Sequence, residues 1–348
     1  MLELWFAIVA VMLTLYVVLD GFDMGAGTLH LLVARRDGER RQVLAAIGPY
    51  WDGNEVWLLA AGGALFVAFP RALAAGLSGF YFAIFLVLWC LILRGVAIEF
   101  RSHVAHPLWR SFWDAVFAGA SALLAVFFGA ALGNLLRGLP LDAAGWFSLA
   151  LFTDLSARPP VGILDWYTVL VGVYALLALA AHGAAYLAWK TDGPVQERSR
   201  ALRGRLAPAV VAMWPVLTAA TLAVDPALFA NFAGRPLAWL AALVALAGAG
   251  TLLAGGLRRA DRAAFLGSCA FLAGLLGATA ASVFPVMLRA VGDPALSLTA
   301  RDAGNDPQGL RAALGWWLVG FPLAVLYFVM LFRLHRGKAV APREGEGY

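Results

Sequence analysis

The segment ELWFAIVAVMLTLYVVLDGFDMGAGTLHLLVA, residues 3–34, is the clearest indication of the fold class of this chain. A helix needs about 20 predominantly apolar residues to cross the hydrocarbon core of a bilayer, and this segment is longer than that. Because no positively charged region precedes it, we interpret it as a first membrane helix rather than a cleaved signal. It also carries Asp20 and Asp23, at a depth where charged groups are costly and commonly functional.

The composition of the whole chain agrees with a membrane protein. Of its 348 residues, 62% are hydrophobic and 14% are charged, whereas soluble domains have about 45–50% apolar and about 25% charged residues. The charged residues form short clusters between long apolar runs, which is typical of serial membrane spans. Since the basic residues lie at the ends of these runs, they indicate membrane topology, and we expect no nucleic-acid partner.

The apolar runs predict an all-α integral membrane protein with about nine transmembrane helices. The predicted spans are 3–34, 43–70, 73–100, 111–137, 165–190, 203–224, 236–257, 262–288 and 311–334. The two longest connections, 138–164 and 289–310, contain proline and aspartate and are expected outside the hydrocarbon.

The distribution of lysine and arginine predicts the orientation. These residues are concentrated in the connections after spans one, three, five and seven and in the C-terminal tail. Positive residues mark the cytoplasmic side of a membrane protein. We therefore predict an N-terminus outside and a cytoplasmic C-terminal tail, residues 335–348, which requires an odd number of spans.

Two helix ends resemble each other. Span one ends in GAGTLHLLVARRDGERR (25–41), and span five ends in HGAAYLAWKTDGPVQERSR (182–200). This similarity suggests two parallel four-helix units, 1–137 and 165–288, with 311–334 as an additional helix. The alternative is that helix ends in membranes share small residues and basic clusters without any repeat.

Five ionisable residues lie inside the first three predicted spans. Asp20 and Asp23 in span one form an i, i+3 pair, as do Asp52 and Glu55 in span two, so each pair lies on one helix face. Arg94 lies in span three. With a rise of about 1.5 Å per residue, Asp52 is placed roughly 13 Å and Asp23 roughly 16 Å from the inner helix ends. The carboxylates are therefore expected to converge in the cytoplasmic half of the membrane.

Two interpretations of this cluster remain open. Carboxylates at that depth suit the movement of protons or ions, whereas a purely structural cluster would be neutralised by Arg94. A secondary transporter would also use buried carboxylates, but spans five and six carry no matching acidic pair. A scaffold subunit without chemistry of its own is a third alternative.

Histidine and cysteine give weaker signals. His30 and His182 are the histidines predicted within the membrane, and they are the candidate haem ligands, although a hydrogen-bonded packing role is commoner. Cys90 and Cys269 lie in apolar runs, which excludes a disulfide framework and a cysteine-based metal site. We expect no metal site in this chain, and no nucleotide-binding or HExxH motif occurs.

Two long motifs, LDGFDMGAG (19–27) and GPYWDGNEVWLLAAGGALFVAFP (48–70), resemble subunit II of the cytochrome bd-type quinol oxidases, including the cyanide-insensitive oxidases. The resemblance extends along the whole chain. The further motifs are LSGFY (77–81), LRGVAIEFR (93–101), LGNLL (132–136), HGAAYLAWKT (182–191), FPVML (284–288) and SLT (297–299).

This resemblance implies an architecture and an activity. It implies two four-helix bundles plus a peripheral helix in the bacterial cytoplasmic membrane, paired with a subunit I that carries the quinol site, two haem b groups and one haem d or its b-type substitute. Small single-helix accessory subunits are also expected. The complex would oxidise quinol and reduce dioxygen to water, taking protons from the cytoplasm and generating proton-motive force without pumping.

The resemblance also implies roles for individual residues. Asp23 and Asp52 match the family's proton-channel aspartates, while Glu55 occupies a position that varies between Glu and Gln. Asp20 is expected on the same proton path, with Arg94 as the charge partner. Catalytic residues are expected on the partner subunit, and a structural quinone binds to this subunit in some relatives.

Overall fold

The computed structural model describes residues 1–341 and is almost entirely helical, which confirms the predicted fold class. The α-helices are α1 (Leu2–Val33), α2 (Asp37–Ile47), α3 (Trp51–Ala68), α4 (Pro70–Gly79), α5 (Tyr81–Phe100), α6 (Pro107–Arg137), α7 (Trp166–Lys190), α8 (Gly193–Val224), α9 (Pro226–Ala233), α10 (Pro236–Leu257), α11 (Asp261–Val283), α12 (Ala300–Ala303) and α13 (Pro307–Leu334). Strands β1 (Val286–Leu288) and β2 (Leu298–Thr299) form an antiparallel pair before α12. The last residues of the predicted tail, 342–348, lie outside the described part.

Within residues 1–341, eight helices are long and apolar enough to cross a membrane. They are α1, α5, α6, α7, α8, α10, α11 and α13. Helix α3 has 18 residues, but its first turns carry Asp52 and Glu55, which lower its apolar character. The count of nine spans and the orientation of the termini therefore stay predictions.

The predicted span 43–70 is wrong as a single helix. Residues 48–50 separate α2 from α3. Pro49 explains the break, because proline cannot donate an intrahelical hydrogen bond, and the next N–H, that of Tyr50, donates to the Ile47 carbonyl three residues back at 2.8 Å. The hydroxyl of Tyr50 donates to the carbonyl of His335, just beyond α13, at 3.1 Å. The start of α3 is therefore level with the C-terminal end of α13.

The predicted span 73–100 is also divided. Helix α4 ends at Gly79 and α5 begins at Tyr81, with Phe80 in a non-helical conformation between them. A Cβ atom on Gly79 would lie 2.2 Å from the ring of Phe147. The glycine thus permits close packing of the long connection against this corner.

Helix α1 contacts both halves of the chain, because it packs against α3 and α6 and also against α7 and α11. It crosses α7 where Gly25 meets Gly183, and a Cβ on Gly25 would lie 2.1 Å from the carbonyl oxygen of Leu179. Small residues at such crossings let membrane helices approach closely. The division into two four-helix units remains a prediction.

The two long connections pair with each other. The Leu139 N–H donates to the Arg289 carbonyl at 2.8 Å, and the Val291 N–H donates to the Leu139 carbonyl at 2.8 Å. The Asn305 N–H donates to the carbonyl of Ala68, the last residue of α3, at 3.0 Å. The connections thus form one layer over the helix ends farthest from α2.

Candidate functional site

The candidate site lies where α1, α3 and α5 meet. Helix α1 supplies Asp20 and Asp23, α3 supplies Asn54 and Glu55, and α5 supplies Arg94. Four of the five predicted charged residues are thus brought together, and the i, i+3 spacing of Asp20 and Asp23 places both on the face of α1 that meets α3 and α5. The fifth, Asp52, is exposed at the beginning of α3.

Arg94 is the cation of the site and is fully buried. Its Nη2 donates to Asp20 Oδ1 at 2.7 Å and also to Glu55 Oε1. Asp20 is fully buried, whereas the side chain of Glu55 is 25% exposed. One guanidinium therefore holds carboxylates from two different helices, which fixes α3 and α5 against α1.

Asp23 is held differently. It is 1% exposed, and its Oδ2 accepts a hydrogen bond from Asn54 Nδ2 at 2.7 Å. Within residues 1–341, its Oδ1 has no hydrogen-bond partner. Asn54 also donates to the carbonyl of Leu19 at 3.2 Å. A buried carboxyl group held by a neutral amide can exist with or without its proton, whereas a carboxylate paired with arginine is held in its charged form.

Asp52 lies at the beginning of α3. It is the second residue of that helix and is exposed, so the continuous helix from which its depth of roughly 13 Å was predicted is wrong, while the depth itself stays a prediction. The reason is the break at residues 48–50, which removes α2 from the span. Asp52 thus marks the beginning of α3, two residues after Tyr50.

A second charged cluster joins α1, α2, α5 and α6. Asp114 on α6 is 1% exposed and accepts hydrogen bonds from Arg101 Nε at 2.6 Å and Arg40 Nη1 at 2.8 Å. Its Oδ1 lies 2.6 Å from His30 Nε2. Next to it, Asp37 accepts from Arg101 Nη2 at 2.8 Å. This cluster closes the end of the helix group that lies nearest α2.

The comparisons with known proteins agree with this architecture. The family model described as cytochrome bd terminal oxidase subunit II matches residues 1–335. The chain belongs to this family. Membership makes it a multi-pass subunit of an oxidoreductase complex of the bacterial inner membrane, and the family implies a subunit I partner and haem in the complex.

Individual relatives support the assignment. A probable cytochrome oxidase subunit 2 of Haemophilus influenzae is 33% identical over 358 residues, covering 94% of this chain and 92% of the relative. The cytochrome bd-I ubiquinol oxidase subunit 2 of Escherichia coli K12 is 40% identical over 199 residues, covering 57% of this chain and 51% of that protein. The structure of bd oxidase from Geobacillus thermodenitrificans matches with a TM-score of 0.73 at 18% identity, covering 96% of this chain and 98% of that chain. This likeness shows the shared fold.

Of the two membrane histidines of this oxidase subunit, His182 does not fit haem ligation. Both its ring nitrogens are engaged, Nδ1 with Ser268 Oγ at 2.7 Å and Nε2 with the Val18 carbonyl at 2.9 Å. His30 uses Nε2 for Asp114, and its ring packs edge-on against Phe117 at 5.3 Å, while its Nδ1 has no hydrogen-bond partner within residues 1–341. Within residues 1–341, no group of three or more His, Cys, Asp or Glu side chains could hold a metal ion. That haem is carried by the partner stays a prediction.

The residues of these clusters that sequence reasoning missed include Asn54, Arg101 and Asp114. Asp114 lies within the predicted span 111–137, so the rule that flagged the other charged residues in spans also applies to it. Asn54 lies between Asp52 and Glu55, but an uncharged amide carries no comparable signal. Arg101 was counted as a residue of the connection, and its burial becomes visible only when α2 covers it.

Proposed function

We propose that this chain is subunit II of a quinol:dioxygen oxidoreductase in which quinol is oxidised and dioxygen is reduced to water. Subunit I carries the quinol site, two haem b groups and one haem d or its b-type substitute, with small accessory subunits around the heterodimer. The N-terminus is outside and the C-terminus is cytoplasmic. Family membership over residues 1–335 supports this proposal and leaves the transporter alternative without support.

The role of this subunit is to support subunit I and to carry protons from the cytoplasm. Reduction of dioxygen to water consumes protons, and a reaction centre in the membrane needs a polar path to receive them. One observation carries the assignment: Asp23 is buried and has only the amide of Asn54 as a hydrogen-bond partner within residues 1–341. It is the carboxyl group of the site best suited to take up and release a proton.

The other charged residues have distinct parts in this proposal. Arg94 holds Asp20 and Glu55 and so positions α1 and α3 around Asp23. Asp52, exposed at the beginning of α3, is where protons enter from the cytoplasm. Glu55, which is partly exposed, lies between the surface and the buried pair. A structural quinone in this subunit remains part of the expectation.

The test is Asp23→Asn in the purified complex with its partner subunit. Asparagine keeps the shape of the side chain and can still accept from Asn54, but it cannot exchange a proton. We expect normal assembly and haem absorbance, with oxygen consumption per haem lowered on the order of 100-fold, as for loss of a positioned proton-transfer group. Asp52→Asn should also slow turnover.

Asp225→Asn is the matched control, because Asp225 is a nearly buried aspartate paired with Arg289 at 2.7 Å, away from the site. It should leave turnover per haem unchanged. If Asp23→Asn turned over like wild type, the cluster would have only a packing role. A purified chain that brings neither partner nor haem absorbance would contradict the oxidase assignment itself.

A further inference from the structure

A polar stripe runs along α1 from the candidate site to the second cluster. Asp20, Asp23, Gly27 and His30 are separated by three, four and three residues, which places all four on one face of the helix. Asp23 and His30 are seven residues apart, or about 10 Å along the axis. Asp20, Asp23 and His30 are 0–1% exposed.

Helix α6 covers the part of this stripe from Gly27 to His30. Its Asp114 binds His30 at 2.6 Å, and its Ser121, seven residues further on, faces the same helix. A Cβ on Gly27 would lie 2.0 Å from Ser121 Oγ. Gly27 therefore leaves room for a hydroxyl group between His30 and Asp23, where any other residue would place a side chain.

Three polar atoms along this line lack a hydrogen-bond partner within residues 1–341: Asp23 Oδ1, Ser121 Oγ and His30 Nδ1. The large majority of buried side-chain polar atoms in native proteins have a hydrogen-bond partner, and ordered water is the usual partner where protein groups supply none. Three such atoms on one stripe therefore indicate a path that accommodates water.

We propose that His30, oriented by Asp114, is a second entrance for protons, which pass Ser121 at Gly27 and reach Asp23. This inference rests on the proposed function of Asp23. The entrance is separate from Asp52, because it starts at the cluster of α2, α5 and α6 and follows α1 instead of α3. Nothing in the family assignment places His30, Ser121 or Asp114 on a proton path.

The proton balance is simple. With Nε2 donating its hydrogen to Asp114, the Nδ1 atom of neutral His30 accepts a proton that originates in cytoplasmic water. The imidazolium is balanced by the carboxylate of Asp114. The N–H bond at Nδ1 then breaks, and the proton moves by way of the Ser121 hydroxyl to the Asp23 carboxylate, which forms an O–H bond. His30 returns to its neutral form.

The groups around His30 suit this part. Asp114 is also held by Arg40 and Arg101, so it stays a carboxylate and acts as an orienting group. The side chain of Arg40 is 24% exposed, so one layer of side chains separates the His30–Asp114 pair from solution. Phe117 packs against His30 and lies 3.0 Å from a Cβ built on Gly27, which narrows the path at this point.

The test is His30→Gln in the purified complex. The glutamine amide can still donate to Asp114 but cannot be protonated. We expect full haem content and turnover lowered about tenfold, less than the loss typical of a sole proton-transfer group because Asp52 remains. The solvent deuterium isotope effect on turnover should increase, which a packing defect would not produce. Ser121→Ala should give the same isotope signature more weakly, and it carries the test if His30→Gln does not assemble.

His182→Gln is the matched control, because His182 is equally buried but both its nitrogens are bonded on another helix face. Its isotope effect and pH profile should equal those of wild type. If Asp23→Asn is slow while His30→Gln and Ser121→Ala turn over like wild type, the second entrance is overturned and the proposed function stands. Wild-type turnover in Asp23→Asn would instead contradict the proposed proton-transfer role of Asp23, and the second entrance depends on that role.

Discussion

Two buried arginines, Arg94 and Arg137, hold their surroundings in different ways. Arg137 donates to Asp165, to the Gly162 carbonyl at 2.8 Å and to Asn134 Oδ1 at 2.8 Å. Asp165 in turn caps α7 by accepting from the N–H groups of its first turn. Within residues 1–341, none of the polar side-chain atoms of Arg137, Asn134 and Asp165 lacks a partner.

At the Arg94 site, by contrast, several polar atoms have no hydrogen-bond partner within residues 1–341. They are Arg94 Nε and Nη1, Asp20 Oδ2, Asp23 Oδ1 and Asn54 Oδ1. In a purely structural ion pair, every buried polar atom is expected to have a hydrogen-bond partner, because each unpaired one costs free energy. A buried site that tolerates unpaired atoms departs from this rule, and such departures cluster at functional sites. The comparison therefore indicates a structural role for Arg137 and supports the proposal that the Arg94 site belongs to a proton path.

The largest expected effect is that of Arg137→Met on stability. This change leaves Asp165 buried without its cation and should lower the free energy of unfolding by about 3–5 kcal/mol. Thermal unfolding of the purified complex in detergent would measure it, while any assembled complex should retain normal turnover per haem. A slow but stable Arg137→Met complex would break the comparison.

Asp20→Asn should lower the free energy of unfolding less, by about 2 kcal/mol, the contribution of one charge-assisted hydrogen bond. Arg94 keeps Glu55 as a partner, whereas Asp165 is the single carboxylate bound to Arg137 among the described ion pairs. Asp165→Asn is therefore the matched variant and should destabilise the complex more. An equal loss in the two variants, measured by the same unfolding experiment, would show that the two sites do not differ in this respect.

Glu55→Gln should change stability by less than about 1 kcal/mol. Its side chain is 25% exposed, and the amide oxygen can still accept from Arg94. We also expect near-normal turnover, because the Arg94 contact is kept. A large fall in oxygen consumption per haem would place Glu55 beside Asp23 as an obligatory proton carrier.

The smallest effect concerns an ion pair outside the spans. Glu39 on α2 accepts from Arg198 at 2.6 Å and from the N–H groups of Arg35 and Arg36. Burial by itself would raise the pKa of Glu39, but these hydrogen bonds lower it from 4.5 to about 2.

Because the folded-state pKa of Glu39 is depressed, its contribution to stability is complete above the unfolded value of 4.5 and is lost as pH falls towards 2. Glu39→Gln should therefore flatten the acid limb of stability against pH between those values and leave turnover at neutral pH unchanged. An unaltered acid limb in unfolding experiments across this range would contradict the pairing.

Several features of the fold could be predicted from the sequence. Long apolar runs predicted the all-α membrane class, and α1, α6, α7, α10, α11 and α13 lie within a few residues of their predicted bounds. The breaks at Pro49 and Phe80 were missed, because mean apolar character does not report local backbone geometry. For the same reason the helix that carries Asp52 was predicted to begin before residue 51, although proline is itself a signal for a helix end.

Three conclusions needed only the order of the amino acids: this chain spans a membrane, it resembles the bd oxidase subunits, and Asp20, Asp23 and Arg94 are costly groups within its spans. They depend on local composition, helical spacing and motif order, which need no knowledge of neighbouring helices. The folded chain was needed to see that Arg94 binds Asp20 and Glu55, that Asn54 holds Asp23, and that His30 meets Asp114 across two helices. Such pairings depend on which helix faces approach each other, and that is set by the close contact of small residues such as Gly27 and Ser121 between chain segments far apart in sequence.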